Sequence, residues 1–266
     1  MLREIALGAM VVALLGGCGV AKMLEPSREQ MLQRILPSAV QIVIEQKEGR
    51  RVRTGSGVVL ASRQVGGRQE CFILTSGHTM SGIAGQKEVY VVFGRDQGDA
   101  KKARASIVTY RDTPEVDLAL LRVDDSRCVP ARAGGSALLG ESVWVVGFPW
   151  GRHMTLASGI VSQVNIDGSP APETASRLMV DAPVSYGSSG GGVFETRRGR
   201  LIGVVEGYNT ARVSSQGANP PWYIDVPVPG QTFVTPLSAV KRFLADAGYA
   251  ELAGAQSPPR RLTGVR

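Results

Sequence analysis

The stretch of this chain best suited to chemistry is Gly187-Ser188-Ser189-Gly190-Gly191, lying within DAPVSYGSSGGGVF at residues 181–194. Glycine admits positive φ and the close approach of another backbone, so such a turn can present Ser189 outward. The N–H of Ser189 and that of Gly187 can then point at one spot beside the hydroxyl. That is the layout of an oxyanion hole next to a nucleophile. A glycine-rich hairpin turn has the same composition, so the partners must come from elsewhere in the chain.

A serine nucleophile needs a base, and the chain has two histidines, His78 and His153. His78 ends CFILTSGH (71–78), an apolar, β-prone run that breaks at Ser76-Gly77. The end of a rigid strand is where a catalytic base can be held accurately. His153 follows PWGR in a turn-like segment and reads as a surface residue. Asp117 opens DLALLRV (117–123), the acidic residue at the mouth of a strongly apolar strand, and is the candidate to orient the imidazole. A strand-edge charge would look the same. Asp112, Asp124 and Asp125 sit in polar surroundings and read as solvated.

The order His78, Asp117, Ser189 is one of the chain orders known for a Ser-His-Asp triad. With RTGSGVVL (53–60), ILTSGH, DLALLRV, VWVVGFPWG (143–151), LASGIVSQ (156–163), GSSGG and FVTPLSAVKRFL (233–244), the chain resembles the trypsin-like (chymotrypsin-fold) serine peptidases. Their bacterial HtrA-type branch is the nearer likeness, over about residues 39–247. The resemblance implies a serine endopeptidase acting on polypeptides through His78, Asp117 and Ser189, with the N–H groups of Gly187 and Ser189 as oxyanion donors. It also implies a primary substrate pocket walled by Pro183 to Tyr186 and by Val205 to Gly207. Pro183 and Val184 suggest a small or apolar side chain there. Glu206 would favour a basic one if it turned inward, and would otherwise be a solvent-facing carboxylate.

Two positions depart from the family pattern. Gly77 replaces the usual alanine or asparagine before the histidine, and Ser188 replaces the usual Asp or Asn before the nucleophile. They motivate the alternative of a weak or inactive binding or scaffold module on the cell envelope. The resemblance also makes the third and sixth strands of the first barrel antiparallel neighbours, which suggests a Cys71–Cys128 disulfide. A buried free Cys71 with an exposed loop Cys128 is the competing arrangement.

The elements around these residues are short β-prone runs separated by turn residues. AVQIVIEQ, GSGVVLAS, CFILTS, VYVVF, RASIVTY and LALLRV make six, with Gly55-Ser56-Gly57 expected as a turn between the first two. SVWVVGF, LASGIVSQ, RLMVDAPV, GGVFET, RLIGVVEGY and QTFVTPL make six more. The expected fold is all-β, two six-stranded antiparallel Greek-key barrels with a C-terminal helix over Leu237 to Ala247. The predicted layout is a first barrel at 38–124, a linker at 125–140, a second barrel with its helix at 141–247, and a disordered tail at 248–266. Long loops at Val164–Ser176 and Tyr208–Gly230 are expected to rim the cleft. The HtrA-type branch usually carries a peptide-binding module after the barrels; fewer than 20 residues follow Ala247, which predicts its absence.

Before the barrels, Arg3 precedes an apolar run from Ile5 to Leu15, too short for a bilayer span of roughly 20 residues but of the length of a secretory signal. Leu15-Gly16-Gly17-Cys18 looks like a bacterial lipobox, so residues 1–17 read as a lipoprotein-type signal peptide and Cys18 as the lipidation site. An ordinary signal peptide or a short uncleaved anchor would use the same residues. Residues 18–37 read as a tether with a short helix over Ser27–Leu36. The expected location is the bacterial cell envelope, held by lipid on its periplasmic or extracellular face. The formal charge of +7 comes from scattered basic residues with no nucleic-acid motif, so no nucleic-acid partner is expected. No metal or cofactor site is expected, because no paired-ligand spacing occurs.

Overall fold

The computed structural model describes residues 26–83, 87–94, 100–125, 127–135, 137–164, 177–215, 217 and 220–254. The signal peptide, Cys18, the body of the 164–176 loop and the end of the tail lie outside them. A short helix α1 (Arg28–Ile35) opens the fold. Ser27 caps it reciprocally: its hydroxyl accepts from the Gln30 N–H while the Gln30 side chain accepts from the Ser27 N–H.

Twelve strands follow: β1 (Ala39–Gln46), β2 (Arg51–Val65), β3 (Arg68–Thr75), β4 (Lys87–Phe93), β5 (Lys101–Asp112), β6 (Asp117–Asp124), β7 (Ser142–Gly147), β8 (Thr155–Gln163), β9 (Leu178–Val180), β10 (Gly192–Glu195), β11 (Leu201–Ser214) and β12 (Tyr223–Pro236). They form two closed antiparallel barrels in the orders β1-β2-β3-β6-β5-β4 and β7-β8-β9-β12-β11-β10. The two orders are the same topology used twice. A closing helix α2 (Leu237–Asp246) completes the chain's regular structure.

The uninterrupted apolar runs have a direct cause in this arrangement. Successive side chains of a strand point to opposite faces. In β3, Cys71 and Ile73 fill the first barrel, while Phe72 and Leu74 face the second. In β6, Ala119, Leu121 and Val123 point inward and Leu118 and Leu120 outward to the same seam. From the other side, β7 buries Val143 and Val145 in its own barrel and gives Trp144 and Val146 to the seam. Met31 and Ile35 of α1, and Val240, Phe243 and Leu244 of α2, close that inter-barrel core.

Several details differ from expectation. Gly55-Ser56-Gly57 is not a turn but the middle of β2, paired with Ile42, Gln41 and Val40 of β1. The reversal lies at residues 47–50 instead. The segment 208–230, expected as a loop, is mostly a two-stranded extension of β11 and β12, with Arg212 opposite Asp225 and Ser214 opposite Tyr223. The linker is pinned rather than free: Ala131 N–H donates to Val59 O at 2.8 Å, and Ala133 makes a parallel bridge with Leu201. Asp125 is buried and paired with Arg127 at 3.1 Å, rather than solvated. Residues Ala250–Ala253, expected in the disordered tail, form a 3-10 turn that buries Leu252.

Cys71 and Cys128 are joined by a disulfide, with Cα atoms 5.9 Å apart. It ties the end of the first barrel to the linker, across 57 residues. Closing a loop of that length removes freedom from the unfolded chain. Replacing both cysteines with alanine should lower unfolding free energy by about 2–4 kcal/mol, read as a fall in the urea midpoint. Reductant should lower the wild-type midpoint similarly and leave the double variant's unchanged.

Candidate active site

β3 ends at Thr75 and passes into a single 3-10 turn, Gly77–Thr79, that carries His78. The register that pairs Thr75 with Ala119 brings the first residue of β6, Asp117, alongside this turn. Both carboxylate oxygens are used. Asp117 Oδ1 accepts the backbone N–H of His78 at 2.6 Å, and Oδ2 lies 2.7 Å from its ring Nδ1. With the proton on Nδ1 donated to Asp117, Nε2 is the basic nitrogen. Asp117 is 7 % exposed and His78 44 %, so the ion-pairing end is dry and the ring edge faces the cleft. The hydrogen bond to Asp117 raises the His78 pKa above 6.5, burial opposes it, and the charges of Asp117, Asp112 and Glu206 add to the rise.

Gly77 is required by the same geometry. A Cβ there would lie 1.9 Å from the Arg111 carbonyl oxygen and 3.0 Å from Asp117 Oδ1. The departure from the family pattern thus follows from a close pass of β5.

Ser189 sits in the second of two consecutive reverse turns. Ser188 N–H donates to Ser185 O at 3.0 Å and Gly191 N–H to Ser188 O at 2.9 Å. Gly187 and Gly190 occupy the third position of each, with φ of 90° and 88°. Tyr186 and Ser189 before them keep negative φ, so both are type II turns, which favour glycine at that place. Ser188 is buried and its hydroxyl accepts the Ser185 N–H at 3.3 Å. A serine therefore braces the turn locally where the family pattern has an acid or amide.

The same turns aim two N–H groups. Tyr186 O accepts the Trp150 N–H at 2.6 Å, and Ser188 O accepts from Gly191. In a trans peptide the N–H points opposite to its carbonyl, so the N–H groups of Gly187 and Ser189 are turned away from those partners. Among the described residues, neither donates a hydrogen bond. Trp150 adopts φ of 57°, the sole non-glycine residue with positive φ among those described. A bulky residue there costs on the order of 1–3 kcal/mol, and what it secures is that bond to Tyr186. Its ring stacks on Tyr186 with centroids 5.6 Å apart.

The turn carrying Ser189 is locked onto the first barrel by buried hydrogen bonds. Ser56 N–H donates to Ser189 O at 2.8 Å, and Ser56 Oγ donates to Gly187 O at 2.8 Å while accepting the Phe148 N–H at 2.7 Å. Thr75 Oγ1 donates to Ser56 O at 2.7 Å. Ser76 Oγ and Gly190 N–H both donate to Val205 O, each at 2.8 Å. Thr75 packs against Gly190, the residue after Ser189, and Ser76 shares an acceptor with it. No hydrogen bond joins Ser189 Oγ to His78 Nε2 among the described residues; such bonds often tighten only once substrate binds.

The expected pocket residues divide between two cavities. Pro183, with Val184, Ser185 and Ser188, borders one of about 370 Å³, whose other wall is Val145, Gly147 and Leu156 from the β7–β8 side. Tyr186 is exposed. Val205 is wholly buried in the second barrel and contributes its carbonyl rather than a pocket wall. Glu206 lines a second cavity of about 420 Å³ with His78, Asp112, Asp117 and Phe233. It neither faces solvent nor lies free in the pocket, because Arg177 pairs with both its oxygens. Burial raises the Glu206 pKa and the Arg177 bonds oppose the rise. Arg177 also donates to Pro114 O at 3.3 Å and lies 5.3 Å from the Phe233 ring, so it bridges both barrels behind the histidine. His153 is exposed and outside this constellation. Ser56, Trp150 and Arg177 were not singled out by sequence reasoning, and the sole signal for the first two was their place in the RTGSGVVL and VWVVGFPWG motifs.

No group of His, Cys, Asp or Glu with metal-site geometry occurs among the described residues. No helix among them is long and apolar enough to cross a membrane.

A family model described as the trypsin-like peptidase domain matches residues 55–204. Serine protease HTRA1A of Danio rerio is 27% identical over 249 residues, 89% of this chain and 44% of the relative. The periplasmic serine endoprotease DegP of Escherichia coli is 27% identical over 168 residues, 62% of this chain and 31% of the relative. The chain thus spans less than half the length of these curated relatives. Among solved structures, the HtrA-type protease AlgW with tripeptide is similar in fold, with a TM-score of 0.62 and 21% identity over 85% of this chain and 64% of that one.

Replacing Ser56 with alanine should leave Gly187 O and Phe148 N–H unpaired and buried. We expect about 1–3 kcal/mol of lost stability for each such group at most. Any hydrolytic activity should fall at least about tenfold in kcat, with KM little changed, because the loss acts on the oxyanion turn. An unchanged kcat would show that the turn holds its shape without this brace.

Proposed function

The chain belongs to the trypsin-like peptidase domain family, and on that premise we propose that it is a serine endopeptidase cutting polypeptides with Ser189, His78 and Asp117. The observation that carries the reading is the two-point grip of Asp117 on His78, set against a double type II turn that leaves two N–H groups uncommitted. Ser189 Oγ attacks a peptide carbonyl as His78 Nε2 takes its proton. The oxygen of the tetrahedral intermediate is held by the N–H groups of Gly187 and Ser189. His78 then gives the proton to the leaving amine, and water repeats the sequence on the acyl-enzyme. Asp117 keeps the ring in the productive tautomer and stabilises the imidazolium. The two family departures that suggested a scaffold, Gly77 and Ser188, each have a place in this site, so no observation favours that alternative.

Activity should require neutral His78, whose pKa lies above 6.5 chiefly through the Asp117 hydrogen bond. The acid limb of kcat/KM should accordingly have its midpoint above that value and shift downward in Asp117→Asn. The stability linkage runs the other way. The contribution of this pair is fully present below the unfolded pKa of 6.5 and is lost as pH rises through the raised folded value. Ser189→Ala and His78→Ala should each lower kcat by about 10⁵–10⁶-fold, without adding to one another, and Ser189→Ala should leave the thermal midpoint nearly unchanged. Equal cleavage of an unfolded protein by wild type and Ser189→Ala would dismiss the assignment.

The envelope location belongs to the same reading. A lipid-modified Cys18 would tether the domain through residues 18–27 to a membrane, facing periplasm or cell exterior, where the Cys71–Cys128 bond can persist. One relative, the periplasmic serine endoprotease DegP of Escherichia coli, is by its name a periplasmic protein. The mass of membrane-extracted protein should correspond to a chain beginning at Cys18 with added acyl groups. Retention of Met1, or an unmodified Cys18, would overturn this.

A further inference from the structure

The 3-10 turn that carries His78 is weakly held by its own backbone. Thr79 N–H reaches Ser76 O, Ser81 N–H reaches His78 O and Ile83 N–H reaches Met80 O, each at 3.3 Å. Ordinary N–H···O bonds cluster at about 2.9–3.0 Å. Met80 N–H to Gly77 O, at 2.8 Å, is the exception. The carbonyls of Thr79 and Ser81 accept no backbone N–H among the described residues.

A single side chain from β2 meets these carbonyls. Arg53 Nη1 donates to His78 O at 2.9 Å, to Thr79 O at 3.0 Å and to Ser81 O at 2.9 Å. Bonds from a charged guanidinium are roughly twice as strong as neutral ones. Arg53 is itself well placed to act as a brace, half-buried in β2 and opposite Ile44 of β1. Beyond it, the Ser81 hydroxyl donates to Asp112 of β5.

His78 is thereby gripped at both of its peptide groups. Asp117 takes its N–H and faces its ring Nδ1, while Arg53 takes its carbonyl. With Asp117 alone, the residue could pivot about that carboxylate and carry the imidazole edge with it. A second fixed point on the next peptide removes the pivot. The same strand holds the other half of the site. Ser56, three residues after Arg53, donates to Ser189 O and Gly187 O. Gly55 between them lies against both turns, since a Cβ there would meet Thr79 at 3.0 Å and Ser189 O at 3.5 Å.

We propose that Arg53 is a positioning residue for the reaction: by holding the His78, Thr79 and Ser81 carbonyls to β2, it fixes the distance between the imidazole and Ser189. The proposal rests on the endopeptidase reading and adds a residue to that site. Arg53 touches no reacting atom and acts through the turn.

The test compares Arg53→Met, an unbranched stem without donors, with Arg53→Lys, which keeps a cation bearing three N–H donors on one nitrogen. The substrate is reduced, carboxymethylated α-lactalbumin, a permanently unfolded chain. In Arg53→Met, kcat should fall about 10- to 100-fold, the cost of misplacing a reacting group by about 1 Å. KM should stay within about twofold of wild type. The acid limb of kcat/KM should move down toward 6.5, because a pivoting turn weakens the Asp117 bond that raises the His78 pKa. The other charged groups around the ring, Asp112 and Glu206 with its partner Arg177, stay in place. Arg53→Lys should recover most of both losses. A brace serving the fold alone would lower the thermal midpoint of Arg53→Met and leave kcat and the acid limb as in wild type. That result would overturn the proposal. Should wild type cleave nothing, the endopeptidase reading fails and the low-field proton resonance of His78 Nδ1 judges Arg53 separately. It should be sharp in wild type and Arg53→Lys and broadened by exchange in Arg53→Met; equal sharpness in all three would refute the role.

Discussion

Ser56 is where the two barrels become one machine. Its N–H, Oγ and carbonyl each make a buried hydrogen bond, and three of its four partners lie in or beside the nucleophile turn. A buried hydroxyl that loses its partners costs more than the bond contributes when made, so the seam tolerates few alternative alignments. Mid-strand placement supplies the stiffness. β1 pairs with β2 at Ser56 and β3 pairs with β2 from Val58 onward, and Gly55 leaves room for Thr79 at the edge of the histidine turn. The positions of His78 and Ser189 are therefore correlated through about two residues of one strand rather than through flexible loops.

The second constraint is the orientation of single peptide groups. Trp150 accepts an unfavourable backbone conformation so that its N–H can hold the Tyr186 carbonyl, and the N–H of the same peptide is thereby turned toward the cleft. Stacking of the Trp150 and Tyr186 rings supplies part of the compensation. Behind the histidine, Arg177 plays the corresponding part with its side chain, joining Glu206, Pro114 and Phe233. The cleft is thus braced on one side by backbone and on the other by a half-buried ion pair.

Much of this was legible because local pattern and global fold agree. The strands ending at His78 and beginning at Asp117 show as unbroken apolar runs because each has one face in a barrel and one in the seam. The triad candidates followed from there being few histidines and one strand-mouth aspartate. Gly55-Ser56-Gly57 misled because glycine signals a turn locally, whereas here the demand for space is tertiary. Pro227 and Pro229 likewise disguised the β11–β12 extension, since proline is compatible with an edge strand but weakens its signature. Asp125 looked solvated because its partner, Arg127, approaches only after the chain leaves β6. Trp150 acts through its backbone, and no side-chain pattern could announce that.

The division of the site between the barrels also orders events in time. A chain emerging from the ribosome completes the first barrel by Asp124, with His78 and Asp117 in hand, well before Ser189 exists. At that stage Val58, Leu60, Phe72, Leu74, Leu118 and Leu120 form an uncovered apolar flank, awaiting Trp144, Val146, Phe148, then Val240 and Phe243 of α2 and, last of all, Leu252. Ser56 has no turn to brace until the second barrel forms. The surroundings of His78 and Ser189 are therefore complete only once the C-terminal segment has docked, so the order of synthesis sets the order in which the site is assembled.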